Sequence, residues 1–275
     1  MAHQRTPATS QQPEVIFFDD FTSPALNRSA WNVEVTGQVY NNEQQAYIDS
    51  PETLYIETGQ SDQANGVLVI HPRYRQGYVT PQGRTFDFIS GRVHTRGNVE
   101  FTYGNVAARI LLPEGVGLWP AFWMLGSSGE WPHCGELDIM EYVGEKDWTS
   151  VAIHGPNYYG ETPLVNKKFF AQPAAVHTWH IYSMDWTATH IHFSVDDELV
   201  YRVTRPMVDY YGSWVFDQNH FMLLNFALGG IYPFKTNGVE TPYYGLPEET
   251  VHAIQRDEIK LLIDWVKVSR SQHTS

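Results

Sequence analysis

The sequence predicts an all-β chain folded as an antiparallel sandwich or jelly roll. Three observations carry this. Segments alternate apolar and polar residues with period two, the rhythm of half-buried strands. Gly (21) and Pro (16) are spread throughout and punctuate the chain with turns. Helical periodicity is scarce, and there is no strand–helix–strand rhythm of the kind a parallel sheet needs.

The elements follow in chain order. Val106, Ala108, Ile110 and Leu112 share one face of a strand that Pro113 ends. His180, Tyr182, Met184 and Trp186 form one face of another. Ile191, Phe193 and Val195 lead into Asp196-Asp197, a turn signal, and Leu199, Tyr201 and Val203 continue as the return strand of a hairpin. Pro247–Ile259 is the one segment that reads as a short helix, with Pro247 at its start. Leu261, Ile263 and Trp265 alternate with Leu262, Asp264 and Val266, as in a strand buried on both sides.

The 275 residues suit a single domain over 15–275, preceded by a polar leader, residues 1–14, expected to be disordered. A split into two domains near residue 145 lacks any compositional break. The formal charge of −13 disfavours nucleic acid or an anionic membrane as partner, because both need a basic face. The lone cysteine, Cys134, excludes an intrachain disulfide framework and a cysteine zinc site. No apolar run approaches the ~20 residues that span a bilayer, and the start of the chain has no apolar export segment. Aromatic residues make up 14%. Their flat apolar faces and polar edges match sugar rings, and they equally suit the core layers of a sandwich.

The most informative stretch is Gly135-Glu136-Leu137-Asp138-Ile139-Met140-Glu141-Tyr142-Val143-Gly144. On a regular strand Glu136 and Asp138 share a face, but Glu141 falls at an odd offset and would enter the core, where an unpaired carboxylate is costly. One extra residue removes the conflict. A β-bulge near Ile139-Met140 is therefore predicted, turning Glu141 back beside Glu136 and Asp138. Five extended residues span about 16 Å, a bulge shortens this, and inclined side chains close most of the rest. A retaining glycosidase needs its two carboxyl groups ~5 Å apart, one to attack the anomeric carbon and one to protonate the leaving oxygen. A solvated acidic face or a calcium site are the alternatives. Calcium loops carry Gly, Asn and backbone oxygens between their acids, unlike the Leu, Ile and Met here.

This stretch resembles the catalytic motif of glycoside hydrolase family 16, in the bulged form of its laminarinase (endo-β-1,3-glucanase) branch. Further segments are similar to the family: Gly117-Leu118-Trp119-Pro120-Ala121-Phe122-Trp123-Met124-Leu125, Ser90-Gly91-Arg92-Val93, Asn41-Asn42-Glu43, Leu224-Asn225 with Gly229-Gly230, and Ile263-Asp264-Trp265-Val266-Lys267-Val268. They span roughly residues 15–270. The resemblance implies a jelly-roll β-sandwich of two curved antiparallel sheets with an open cleft on the concave side. It implies Glu136 as nucleophile, Asp138 as assisting acid and Glu141 as general acid/base. It places Trp119 and Trp123 along the cleft, Asn42 and Arg92 on sugar hydroxyls, His154 near the cleavage point and Asn225 on a cleft-facing strand. Trp131, just before the catalytic strand, is a further candidate platform.

By the same resemblance no cofactor is required for catalysis. A structural calcium is expected on the convex side, with Asp264, Asp20 and Gly66 as its candidate ligands. Asp19-Asp20 stands where the family has Asp-Glu. Twelve histidines invite zinc, but there is no His-Glu-x-x-His pattern, and His177 and His180 fall three apart on an expected strand, facing opposite sides. The implied activity is endo-hydrolysis of β-1,3-glucan with retention, extending to mixed β-1,3/1,4-glucan. A secreted or periplasmic location is expected because such polymers lie outside the cell, and a monomer is the default. The alternatives are a non-catalytic glucan-binding protein, which would lack one of the acids, and the same chemistry on agarose or carrageenan. Met140, the extra residue, argues against the xyloglucan transglycosylase branch.

Overall fold

A computed structural model describes residues 13–60 and 65–270. The expected disordered leader therefore lies almost wholly outside the described residues. Two antiparallel sheets pack face to face, as the alternation requires. The first runs, in spatial order, through Glu198–Thr204, His190–Val195, Trp179–Trp186, Gly104–Leu111, Leu261–Ser269, Gly66–Ile70 and Leu54–Thr58, and Val15–Asp19 also pairs with Leu261–Ser269. The second runs through Leu164–Phe169, Trp148–His154, Glu136–Glu141, Leu118–Gly126, His220–Leu228, Arg92–His94 and Asn32–Val33. A third, small sheet joins Gln45–Tyr47, Thr85–Ser90 and Arg73–Val79.

One apolar core lies between the two large sheets. From the first sheet Val106, Ala108, Ile110, Tyr182, Met184, Trp186, Ile191 and Phe193 point inward; from the second come Phe122, Met124, Leu137, Ile139, Met140, Met222 and Leu224. The strands and the hairpin read from periodicity are all present. Asp196 and Asp197 turn it with φ of 50° and 64°, the left-handed pair that a two-residue hairpin loop demands. Leu261–Ser269 is buried on both faces over most of its length.

The helical content exceeds the sequence reading. Glu248–Gln255 forms on Pro247 as expected, but Arg205–Tyr211 and Ile231–Asn237 are helices too. Each is about two turns long, too short to display a 3.6-residue period. His177 closes a short 3-10 turn, Pro173–His177, instead of lying on a strand with His180.

Candidate active site

Strand register places the acids. Glu136 pairs with Leu125 and His154, and Asp138 with Trp123 and Ala152. Phe122 then pairs with Met140 while Trp123 pairs with Asp138, so Ile139 is the inserted residue. Ile139 and Met140 both enter the core, each 0% exposed. The next residue, Glu141, consequently pairs with Ala121 and Ser150 on the outward face that carries Glu136 and Asp138. The predicted bulge is thus present, and the two apolar residues spent on the core are what turn the third acid outward. Gly144 closes the motif at φ 86°, where a Cβ would lie 2.4 Å from the Gly115 carbonyl oxygen.

The same register aligns the remaining candidates on this face. One row crosses the sheet as Arg92, Asn225, Ala121, Glu141 and Ser150. The neighbouring rows carry Trp123 with Asp138, Glu136 with His154, and Trp119 opposite Ala227. Asn42 sits apart, exposed in a loop docked on the end of His220–Leu228 through the Gln44 N–H to Leu228 O (2.9 Å).

Each glutamate receives one indole. Trp119 Nε1 donates to Glu141 Oε1 at 3.1 Å, and Trp131 Nε1 donates to Glu136 Oε2 at 2.5 Å. Trp131 reaches over from the loop before the strand, half exposed, with its ring against Tyr159 at 5.3 Å. The sequence suggested a sugar platform; the structure adds a hydrogen bond to a carboxylate. Trp123 instead donates to Asn225 Oδ1 (2.7 Å), Asn225 donates to Tyr47 Oη (3.0 Å), and the Arg92 guanidinium lies over Trp123 at 5.1 Å. His154 Nδ1 accepts the Gly160 N–H at 3.1 Å, so its proton sits on Nε2, which lies 3.2 Å from Asp138 Oδ2.

The electrostatics follow from burial. Desolvation pushes Glu141 up to about 7, opposed by His154 and by the Trp119 and Ser150 hydrogen bonds. Burial first, and the Asp138 charge second, push Glu136 up to about 8, while His154 and the Trp131 N–H pull it down. Burial, with the Glu141 charge behind it, holds Asp138 far above the usual aspartate range. Three carboxyls in one site therefore share protons. With Asp138 protonated, its charge no longer opposes ionisation of Glu136, and burial remains the chief cause that holds both glutamates up.

Sequence reasoning missed Ser150 and Tyr232. Ser150 bonds the Tyr232 hydroxyl at 3.0 Å beside Glu141, and the Tyr232 ring meets Trp119 edge-on at 5.6 Å. Ser150 was reachable, since it lies four residues before His154 on the same strand face. Tyr232 comes from an unexpected helix.

Of the three residues matched to calcium, Asp264 and Gly66 lie on the other sheet and Asp20 just past its strand Val15–Asp19. Asp264 is fully buried in a bulge, where Arg109 pairs with Trp265 and Ile110 with Ile263. Gly66 is required by close approach, since a Cβ there would meet Phe21 O at 2.3 Å. Asp20 O, Asp264 O and Asp264 Oδ1 converge as an oxygen set of the kind calcium favours. All three, however, accept from the Asn65 amide at 3.1, 3.1 and 3.0 Å, and Arg109 Nη1 holds the other Asp264 oxygen at 2.7 Å. The Asn65 amide nitrogen stands where these oxygens would meet a cation, so a calcium ion does not fit without displacing it.

Comparison with known proteins gives concordant results. The model of glycosyl hydrolases family 16 matches residues 31–229. A beta-glucanase of Rhodothermus marinus is 32% identical over 269 residues, covering 94% of this chain and 85% of the relative. Among solved structures, an endo-beta-1,3-glucanase from Pyrococcus furiosus superposes with TM-score 0.77 at 31% identity, over 93% of this chain and 94% of that one. The laminarinase catalytic domain from Thermotoga maritima gives TM-score 0.78 at 28% identity, over 96% and 100%.

Proposed function

Because the chain belongs to glycosyl hydrolases family 16 and is a glycoside hydrolase, we propose that it cleaves β-1,3-glucan internally, by double displacement with retention, and accepts mixed β-1,3/1,4-glucan. The observation that carries this reading is the bulge that brings Glu141 to the face of Glu136 and Asp138.

In this reading Glu136, ionised, attacks the anomeric carbon, and Glu141, protonated, delivers its proton to the departing oxygen. Burial keeps the Glu141 carboxyl protonated to about 7, as an acid needs, and holds Glu136 up as well, so the division of roles rests on the order of the acids in the family motif. The Trp131 N–H orients the attacking oxygen pair and favours its charge. Asp138 carries the proton that would otherwise compete for Glu136, with His154 Nε2 against its far oxygen. Glu141, deprotonated after the first step, then takes a proton from water as that water attacks the glycosyl–Glu136 ester, which regenerates both groups.

Trp119, Trp123, Arg92, Asn225 and Asn42 are assigned to sugar binding. Trp119 and Trp123 lie on the outward face and Arg92 supplies a polar group there, while Asn225, buried with both amide atoms bonded, acts by holding Trp123. The oxygen set at Asp264 is read as closed by Asn65, with no resident calcium. A polymeric substrate favours action outside the cytoplasm, and a monomer suffices because one chain carries all three acids. No helix among the described residues is long and apolar enough to cross a membrane.

The test is product analysis on laminarin, barley β-glucan, lichenan, agarose and carrageenan, alongside Glu136→Gln. Oligosaccharide release from laminarin by the parent, and none by the folded variant, is expected. Preferential cleavage of a galactan would overturn the substrate, and unchanged turnover in Glu136→Gln would overturn the mechanism.

A further inference from the structure

The outer face of the first sheet, on the other side of the core from the carboxylates, carries a second cluster of donor groups. His190 and His192 alternate with Ile191 and Phe193, both 0% exposed, so the two imidazoles project outward together. Asp185 stands directly opposite His192 on the neighbouring strand, between the inward-facing Met184 and Trp186. The imidazole rings stack at 4.2 Å with an interplanar angle of 29°. His190 Nε2 lies 3.8 Å from Asp185 Oδ2, and one donor atom from each of the three residues falls within 4.8 Å of the others.

Two threonine hydroxyls of the 187–189 turn flank the ring of His190. Its Nδ1 faces the Thr187 hydroxyl at 3.1 Å and the Thr189 hydroxyl at 3.2 Å. The single Thr187 hydroxyl hydrogen has the His190 carbonyl oxygen as acceptor at 3.1 Å. The Thr187 oxygen also accepts the Thr189 and His190 N–H groups at 3.3 and 3.1 Å, so the Thr189 hydroxyl is the partner left for Nδ1; in the tautomer where it accepts Nδ1–H, the Nε2 lone pair is directed into the cluster. This is the arrangement in which a ligating histidine is held by its other ring nitrogen.

We propose that Asp185, His190 and His192 form a binding site for a borderline divalent transition-metal ion such as zinc, cross-linking two strands of the first sheet. Two imidazoles and one carboxylate suit zinc, and disfavour calcium or magnesium, which want oxygen. Tetrahedral zinc with bonds of about 2.0–2.1 Å separates its ligand atoms by about 3.3 Å, so side-chain rotations of about an ångström close the site. Water completes the coordination. Arg202, opposite His192 on the strand beyond, is the cation that faces this row, and it is exposed to solvent. The ion would ligate both sides of the short 187–189 turn and reinforce the pairing there. It has no route to the carboxylates on the other sheet, so it is structural.

Chelator-stripped protein should bind one equivalent of zinc by calorimetry and gain about 5 °C in melting temperature at a hundredfold excess over Kd. His192→Gln and Asp185→Asn should each weaken binding at least tenfold while the metal-free melting temperature stays within a few degrees of the parent. If either variant fails to fold, the other gives the same readout. His154→Gln tests the competing location beside Glu136 and Asp138, and should leave zinc binding intact. Absence of binding, binding undiminished in His192→Gln or Asp185→Asn, or binding lost in His154→Gln would each overturn the assignment.

Discussion

Replacing Glu141 by Gln should abolish hydrolysis and, at the same time, remove part of the pH dependence of stability. In the unfolded chain this carboxyl ionises near its usual 4.5, whereas burial in the fold delays ionisation to about 7. Between those values the folded protein holds a proton that the unfolded chain has released. Stability from this group is therefore fully present below about 4.5, falls as pH rises, and is lost above about 7. At about 1.4 kcal/mol per tenfold change in proton affinity, the loss is roughly 3 kcal/mol. The sign is opposite to that of an ordinary salt-bridged carboxylate. Glutamine keeps the shape and does not ionise. Urea unfolding of parent and variant, followed by tryptophan fluorescence from pH 4 to 8.5 at fixed ionic strength, measures the difference directly. The parent should lose stability relative to Glu141→Gln by roughly 3 kcal/mol over that range. A difference that stays flat, or that grows in favour of the parent, would refute the argument that Glu141 is desolvated on this face.

Trp131→Phe keeps an aromatic surface but removes the N–H that Glu136 accepts at 2.5 Å. A hydrogen bond to a charged group contributes about 1.5–3 kcal/mol, so kcat should fall roughly 10- to 100-fold. The acid limb of the pH–rate profile should also move to higher pH; an unmoved limb would show that the bond does not tune Glu136. Melting temperature should not respond to calcium or to chelators in the parent. Asn65→Ala, which frees the three oxygens it bonds, should become more stable on adding calcium; a parent that melts lower in chelator contradicts this. Arg109→Ala leaves Asp264, 0% exposed, without its guanidinium partner, and a broken buried pair costs about 3–5 kcal/mol. A denaturation midpoint within error of the parent would show that the pair is not essential.

How much of this was legible in the sequence depends on the range of the interaction. The bulge was legible because it is local: an acid at an odd offset among Leu, Ile and Met violates a period of exactly two residues, and one inserted residue repairs it. The hairpin at Asp196-Asp197 was legible for a similar reason, since short acidic turns tolerate positive φ. The resemblance supplied the order of roles among the acids, which periodicity alone left open. The contacts that tune those acids were not legible. Trp131 reaches Glu136 from a loop, and Tyr232 approaches Ser150 across 82 residues of chain. Asn65 meets Asp264 across 199 residues, so nothing near Asp264 signalled that an amide would take its oxygens. The Asp185–His190–His192 cluster needed the pairing of two strands, which fixes Asp185 opposite His192 only once the register is known. Cross-strand neighbours are a property of pairing, and a single sequence carries no record of it.

The measurement that bears most directly on the three acids acting from one sheet face is the anomeric form of the first product. Proton NMR of laminarin hydrolysis, recorded before mutarotation sets in, should show the β-anomer appearing first, with the α-anomer growing only later. Initial appearance of the α-anomer would mean single displacement by water, and Glu136 would not be the nucleophile.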